Sequence, residues 1–279
     1  MSQRKTILLL LPAGFLLVVF LAIPYVSVFL SAFRMPGQGT PYGEGYTLGN
    51  FGRILGDWFY VKQALNTMAI GAVTTLATLA IGLPVAFQLA RSDLRLRGLF
   101  YGIVLSPLLV GIVIRSYGWT ILLGNNGVIN RTLRSWDLID RPLPLMYNTL
   151  GIVIALTHVF LPFMILPIMS AVQGIDPSVS SAARSLGAKR LTVIRRILLP
   201  LAMPGIQSGC ILVFVLSLSS YVTPALIGGL RIKTTAVTVV DAMIDTFQWP
   251  FGAALALTLS VLGGGTVLIF ARLTRMKWK

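Results

Sequence analysis

Charged side chains are scarce in this sequence. Asp, Glu, Lys and Arg together make up 11% of its 279 residues, whereas 56% of the residues are hydrophobic and the mean hydropathy is +0.84. Soluble domains carry about a quarter charged residues. We therefore expect lipid, rather than water, to be the main solvent of this chain.

Motifs for catalysis, metal binding and nucleotide binding are also missing. The one cysteine, Cys210, lies in an apolar run, so neither a disulfide within the chain nor a paired-cysteine metal site is possible. The sequence contains no H-E-x-x-H, no G-x-S-x-G and no phosphate-binding G-x-x-x-x-G-K-[ST]. We expect no catalytic residue, no metal site, no cofactor bound by this chain and no enzymatic activity. An intramembrane hydrolase is disfavoured.

Six apolar segments are long enough to cross a bilayer as helices, which takes about 20 residues each. They lie at about 7–31, 63–90, 98–123, 148–172, 205–228 and 251–271. The first is part of an apolar run from Thr6 to Phe33. A signal peptide has an apolar region of roughly 7–15 residues, so we expect a retained helix. The sequence thus predicts an all-α membrane protein with one transmembrane domain over residues 1–279.

The centres of these segments lack acidic residues. A carrier driven by protons or sodium ions would be expected to place a carboxylate there. The segments also do not divide into two similar halves, as the inverted repeats of many secondary transporters do. Both absences favour a transporter that is powered from outside the chain, and a self-contained secondary carrier or channel is the alternative.

Basic residues are concentrated in alternate connections between the segments. Fourteen of the 23 Lys and Arg residues lie at the two termini and in segments 91–97 and 173–204, where only Asp93 and Asp176 oppose them. The other three connections carry eight basic residues and six of the eight acids. Because basic residues accumulate on the cytoplasmic side, both termini are predicted to be cytoplasmic. The net charge of +15 then reflects topology rather than nucleic-acid binding.

Segment 173–204 has the local signals of a helical hairpin. Asp176 is a helix N-cap residue followed by a proline at the first helical position, and Gly187 is suited to end that helix. A second helix is predicted from Ala188 to Leu199, ended by Pro200. Its apolar stripe consists of Leu191, Ile194 and Leu198.

Two interpretations of this hairpin are open. It is either an amphipathic hairpin lying on the anionic inner leaflet or a knob that docks into a partner protein. The small residues Ala182, Ala183 and Gly187 favour the knob, because they suit close approach by another backbone.

The spacing of residues in this hairpin resembles the "EAA" loop of the membrane permeases of binding-protein-dependent ABC importers. The matching positions are Ala182, Ala183, Gly187, Ile197, Leu199 and Pro200. In that family the loop forms coupling helices that sit in a groove of the ATPase subunit. The glutamate of the family pattern is Ser181 here, which removes a charge from the loop.

Asn66-Thr67 resembles the Asn-Ser or Asn-Thr with which the second span of this family often begins. Residues 106–130 and 249–260 are similar to the spermidine/putrescine-type branch of these permeases. The resemblance implies the six-helix type I ABC importer permease fold (MetI-like) with a cytoplasmic coupling-helix hairpin, located in the bacterial inner membrane. It implies a polyamine-like solute, with opines, phosphonates or ferric iron as alternatives.

The same resemblance implies partners. They are a second permease subunit, homologous or identical, two cytoplasmic ATPase subunits that hold ATP and Mg²⁺, and a periplasmic solute-binding protein.

Five residues are candidates for the solute pathway, namely Asn66, Arg115, Tyr117, Trp119 and Tyr221. Arg115 is an intramembrane charge, so it either faces a cavity or partner or snorkels to the outer surface. Aromatic rings, including Tyr101, suit cation–π contacts with amines, but they also serve as interfacial anchors. His158, the single histidine, is expected to be packed and neutral, with a proton relay as the alternative.

Overall fold

The structure is a computed structural model that describes residues 11–12, 14–37, 40–92 and 94–276. Over these ranges the regular secondary structure is helical, apart from an isolated antiparallel bridge between Arg34 and Tyr46. Several residues of the predicted topology lie outside the described part: 7–10, Arg4, Lys5, Asp93, Lys277 and Lys279, as do the side chains of Arg95, Arg97 and Arg275.

The described residues form thirteen helices. They are α1 Gly14–Ala32, α2 Gly49–Gly56, α3 Trp58–Ala90, α4 Leu94–Leu109, α5 Ile112–Leu123, α6 Val128–Ser135, α7 Thr149–Gln173, α8 Pro177–Ser185, α9 Arg190–Leu201, α10 Met203–Ser219, α11 Val222–Gly228, α12 Thr235–Val240 and α13 Trp249–Met276. Single π-helical turns occur at Val18–Ala22 within α1, at Ile194–Leu198 within α9, and at Asp241–Asp245 directly after α12.

Four helices are long and apolar enough to cross a membrane unaided: α1, α3, α7 and the first 26 residues of α13. Two bent pairs have the same property when each pair is taken as one span, which gives up to six. The predicted third span falls on the first pair, where Gly98–Leu109 and Ile112–Ser135 meet at 95°. The second pair, Arg190–Leu201 and Met203–Ser219, is bent by 66°.

The predicted fifth span, 205–228, is not one helix. Helix α10 ends at Ser219, Ser220 has an extended backbone with φ −67° and ψ 124°, and a separate helix, α11, begins at Val222. The break lies in a polar stretch of the segment, since four of the eight residues from Ser217 to Pro224 are Ser or Thr and one is Pro.

Residue contacts divide the chain into two compact units, 1–62 with 238–262, and 63–237 with 263–279. In the first unit the core includes Ile54, Phe251 and Leu255. The buried Asn50 amide donates to the carbonyl oxygens of Ala32 at 2.9 Å and Arg34 at 3.0 Å. Ala32 is the last residue of α1, where carbonyl groups have no partner within the helix, and Arg34 lies two residues beyond it. Asn50 therefore fixes α2 against the end of α1.

The second unit is built around α7, the most deeply buried of the spanning helices. Glycines let α10 approach it closely: a Cβ atom on Gly205 would lie 2.5 Å from the Pro167 carbonyl oxygen, and one on Gly209 would lie 2.9 Å from Met164 Sδ. The two glycines are four residues apart and therefore share a helix face. Small residues at this spacing allow tight helix packing in membranes.

Candidate functional site

The first helix of the hairpin begins as the sequence predicted. Asp176 is the N-cap of α8, its Oδ1 atom accepts a hydrogen bond from the Ser178 backbone N–H at 2.8 Å, and Pro177 occupies the first helical position. Hydrogen bonds from the Ser178 backbone and side chain lower the pKa of the Asp176 carboxyl. The cap is therefore fully charged at neutral pH.

Gly187 ends α8 in the left-handed region, with φ +84°. Its N–H donates to the Arg184 carbonyl oxygen at 2.9 Å, and the Ala188 N–H donates to that of Ala183 at 3.0 Å. This pair of bonds is the Schellman motif, in which glycine avoids the steric penalty that a Cβ atom meets. The prediction that Gly187 ends the helix is confirmed.

The second helix of the hairpin differs from its prediction. It begins at Arg190 rather than Ala188 and runs through Pro200 to Leu201, so Pro200 does not end it. A proline inside a helix removes the hydrogen bond to the residue four positions earlier. Here a π-helical turn directly precedes it, with the Leu199 N–H bonded to the Ile194 carbonyl oxygen five residues back, and the helix breaks only at Ala202.

The apolar stripe on α9 also needs correction. Leu198 is 5% exposed and Ile194 is half-buried, as expected, but Leu191 is 60% exposed. Val193, at 3% exposure, takes the buried place instead. The face of α9 that packs on the chain thus runs through Val193, Ile194 and Leu198.

The family-pattern positions separate into two groups. Ser181, Ala182 and Gly187 are exposed and Ala183 is half-buried, whereas Ile197, Leu199 and Pro200 are all half-buried nearer the end of α9. Leu186, between the two helices, is 89% exposed. The Ser181 hydroxyl donates to the Pro177 carbonyl oxygen at 3.2 Å. The exposed group forms an outward turn with one large apolar side chain at its tip, which we call the hairpin tip (Ser181, Ala182, Ala183, Leu186 and Gly187).

Two of the pathway candidates share a face of α5 and meet α7. Arg115 and Trp119 are one turn apart, and Trp119 Nε1 donates to His158 Nδ1 at 3.3 Å, with the ring centroids 5.5 Å apart. His158 is exposed on α7, contrary to the expectation of a packed histidine. Arg115 is partly buried, and its Nε and Nη1 atoms are buried without an acceptor among the described residues.

The other pathway candidates do not join this group. Asn66, Tyr117 and Tyr221 are exposed. Thr67, next to Asn66, has a structural role: its buried hydroxyl accepts a hydrogen bond from the Thr235 backbone N–H at 2.9 Å.

Two polar contacts near this group were missed by sequence reasoning. Ser116 and Thr223, both fully buried, are hydrogen-bonded at 2.9 Å and join α5 to α11. Asn130, also fully buried, donates to the carbonyl oxygens of Gly124 and Leu143 and accepts from the Leu143 N–H. Asn130 is one of several polar residues of α6, so nothing local set it apart. Nothing in the sequence paired Ser116 with a residue 107 positions away.

Residues 79–275, which include the hairpin, Arg115 and His158, match the family described as binding-protein-dependent transport system inner membrane components. The chain belongs to this family. It is accordingly a multi-pass inner-membrane component of a transporter.

Individual relatives agree with this assignment. The spermidine/putrescine transport system permease protein PotB of Escherichia coli (strain K12) is 31% identical over 260 residues, which cover 93% of this chain and 94% of the relative. PotB of Salmonella typhimurium (strain SL1344) is 30% identical over 275 residues, covering 99% and 95%. The fold also matches a chain of the crystal structure of a bacterial alginate ABC transporter in complex with alginate pentasaccharide-bound periplasmic protein. The TM-score is 0.77 at 18% identity, over 100% of this chain and 99% of that one. The predicted ABC importer permease fold is therefore confirmed.

Proposed function

We propose that this chain forms half of the pathway of an ATP-driven importer for a polyamine of the spermidine/putrescine kind. The observation that carries the proposal is the 30–31% identity to spermidine/putrescine permeases over nearly the whole chain. Opines, phosphonates and ferric iron are the competing solutes, since a separate binding protein selects the cargo in such importers.

The importer is completed by other chains. A second permease, homologous or identical, encloses the pathway, two cytoplasmic ATPase subunits supply energy, and a periplasmic binding protein delivers the solute. The solved alginate transporter, crystallised with a periplasmic protein, supports the last of these. Both termini and the hairpin are assigned to the cytoplasm on the basis of the basic residues around them.

The hairpin tip is the proposed contact with an ATPase subunit. It is exposed, carries small residues that let another backbone approach, and presents Leu186 for burial in a groove. The half-buried Leu199 packs against the core of the second unit, and α9 leads directly into α10. Movement of the ATPase subunits against the tip is therefore passed to α10, and through its close glycine contacts to α7.

Motion of these helices exposes the pathway alternately to the two sides of the membrane. Arg115, Trp119 and His158 lie on the surface that we assign to that pathway, facing the second permease. ATP is hydrolysed in the partner chains, and this chain transmits the mechanical change.

Purification followed by reconstitution tests the proposal. The chain is isolated with its associated subunits from its native membrane, and both the complex and the isolated chain are placed in liposomes with the co-purified binding protein outside. We expect uptake of radiolabelled spermidine by the complex only, and only with ATP at the ATPase side. ATP-independent uptake by the isolated chain would establish a secondary carrier instead. Competition by an opine, a phosphonate or Fe³⁺, but not putrescine, would reassign the cargo.

A further inference from the structure

A cavity of about 540 Å³ lies between the C-terminal end of α3 and the hairpin, within the second unit. Apolar side chains of both elements line it, including Leu83 and Phe87 of α3 and Val193 and Leu198 of α9. The hairpin tip does not contribute to it.

Three arginines from three separate elements line the cavity. Arg91 directly follows α3, Arg184 is on α8 and Arg190 begins α9. Arg91 Nη1 donates to the buried Ser180 hydroxyl at 3.0 Å, which holds one guanidinium against the hairpin. The lining residues that the structure describes include no Asp or Glu, so the cavity is electrostatically suited to an anion.

The combination of apolar wall and arginines indicates an amphiphile. A guanidinium binds phosphate oxygens with bidentate hydrogen bonds, and the apolar wall matches an acyl chain that water would solvate poorly. A small inorganic anion would leave that wall uncovered. Basic pockets between transmembrane helices at the cytoplasmic side are known binding places for anionic lipid headgroups.

The cavity and the hairpin tip occupy different faces of α8. Ser180 and Arg184, one turn apart, face the cavity, whereas Ala182 is two residues from Ser180 and so roughly 200° around the helix. A partner that contacts Ala182 therefore meets the face of α8 opposite the cavity.

We propose that this cavity binds an anionic phospholipid of the inner leaflet, with the phosphate at Arg91, Arg184 and Arg190 and an acyl chain along Leu83 and Phe87. The location at the inner leaflet rests on the orientation assigned under the proposed function. The bound lipid bridges the hairpin and the end of α3 at the membrane surface.

Native mass spectrometry of the purified transporter measures this binding directly. The delipidated complex is titrated with phosphatidylglycerol or with phosphatidylcholine. The test variant is Arg91→Gln with Arg190→Gln. The matched control is Arg195→Gln with Arg196→Gln, which removes the same charge from exposed positions of the hairpin that do not line the cavity.

We expect the wild type and the control to bind phosphatidylglycerol alike and more tightly than phosphatidylcholine. The test variant should bind phosphatidylglycerol roughly 30-fold more weakly, because each basic residue near an anionic headgroup contributes about 1 kcal/mol. Phosphatidylglycerol binding by the test variant that is as tight as that of the wild type overturns the proposal. An equal loss in both also overturns it, since that would reflect general surface charge.

A second variant covers the case in which loss of the arginines unfolds the hairpin. Ile194→Trp places a larger side chain in the cavity and keeps every arginine, and it should also weaken phosphatidylglycerol binding while the complex elutes normally from gel filtration. Undiminished binding in this variant contradicts the proposed position. Displacement of the lipid by inorganic phosphate would show an anion site without a lipid requirement. Because none of these measurements uses transport, failure of spermidine uptake would overturn the proposed function and leave this inference standing.

Discussion

Arg115 is a costly residue to place inside a membrane-spanning segment. Its side chain is partly buried, and two of its nitrogen atoms, Nε and Nη1, have no acceptor among the residues that the structure describes. A buried charge without a partner is strongly destabilising. Its burial speaks against the snorkelling alternative. A protonated polyamine has only hydrogen-bond donors, so we infer that an acceptor group of the second permease, rather than the passing solute, compensates the Arg115 charge.

This inference predicts the behaviour of Arg115→Met, which has a similar apolar stem and no charge. We expect spermidine uptake to fall by at least about tenfold, or roughly 1.4 kcal/mol in activation free energy, while the amount of transporter in the membrane stays unchanged. Arg131→Met, at an exposed position of α6, is the control and should keep its uptake. Equal uptake by the two variants would return Arg115 to the snorkelling interpretation.

At Gly187 the backbone conformation limits which residues can replace the glycine. Its φ of +84° costs a non-glycine residue roughly 1–2 kcal/mol, but a Cβ atom added at this position would meet no heavy atom within 4 Å. Gly187→Trp should therefore insert and fold, and project its ring at the proposed ATPase contact. We expect ATP hydrolysis to continue while uptake falls to near background.

The control is Gly187→Asn, because Asn tolerates the left-handed region and is small. It should keep most of the uptake in the same liposome assay. Normal uptake by Gly187→Trp would show that the hairpin tip is not a docking surface.

At the scale of the helices, the packing of α10 on α7 depends on the absence of side chains. A Cβ atom on Gly205 would lie 2.5 Å from a backbone oxygen, which cannot move without shifting α7. Gly205→Leu should therefore lower stability by about 1–3 kcal/mol, the usual cost of overpacking. Gly264→Leu in α13 is the control, since a Cβ atom there would meet no atom of the described chain within 4 Å.

Thermal unfolding of the two purified variants, followed by gel filtration, measures the difference. The Gly205 variant should lose its monodisperse peak at a lower temperature than the wild type, and the Gly264 variant at the same temperature. If both variants match the wild type, the close approach of α10 to α7 has little energetic weight.

The helices also show what the sequence predicts and what it does not. The start and end of α8 were predictable because Asp176, Pro177 and Gly187 act through bonds to residues within four positions. The breaks within the third and fifth predicted spans were not. Prolines are only a partial guide: Pro107 and Pro224 lie within four residues of the two breaks, but Pro162 and Pro167 lie inside the unbroken α7.

The functional groups divide in the same way. Arg115 and Trp119 were identified one by one, as an intramembrane charge and an aromatic residue beside it. The hydrogen bond of Trp119 to His158 joins positions 39 residues apart, so only the packing of α5 on α7 reveals it. The cavity arginines are a further case, because Arg91 meets Ser180 across 89 residues.

At the scale of the whole chain, the burial of the spanning helices is uneven. In an apolar 18-residue stretch of α7, two thirds of the residues are buried within the chain. The corresponding shares are 6% for α1 and 22% for α13. A membrane protein leaves such faces to lipid or to other subunits, because apolar surface carries no penalty there. A chain with this distribution is suited to assembly with a second permease.

Orientation in the membrane can be measured at two leucines of equal exposure. Leu186 at the hairpin tip and Leu230 after α11 are both 89% exposed, yet the basic-residue pattern places them on opposite sides. Each is changed to Cys in a Cys210→Ala background, and intact cells with a permeabilised outer membrane are treated with a membrane-impermeant maleimide. Leu230→Cys should be labelled at once, because the reagent reaches it without crossing lipid. Leu186→Cys should be labelled only after the inner membrane is opened and the docked ATPase subunits are stripped from it. Labelling of Leu186→Cys in intact cells would place the hairpin outside, where no ATPase subunit can reach it.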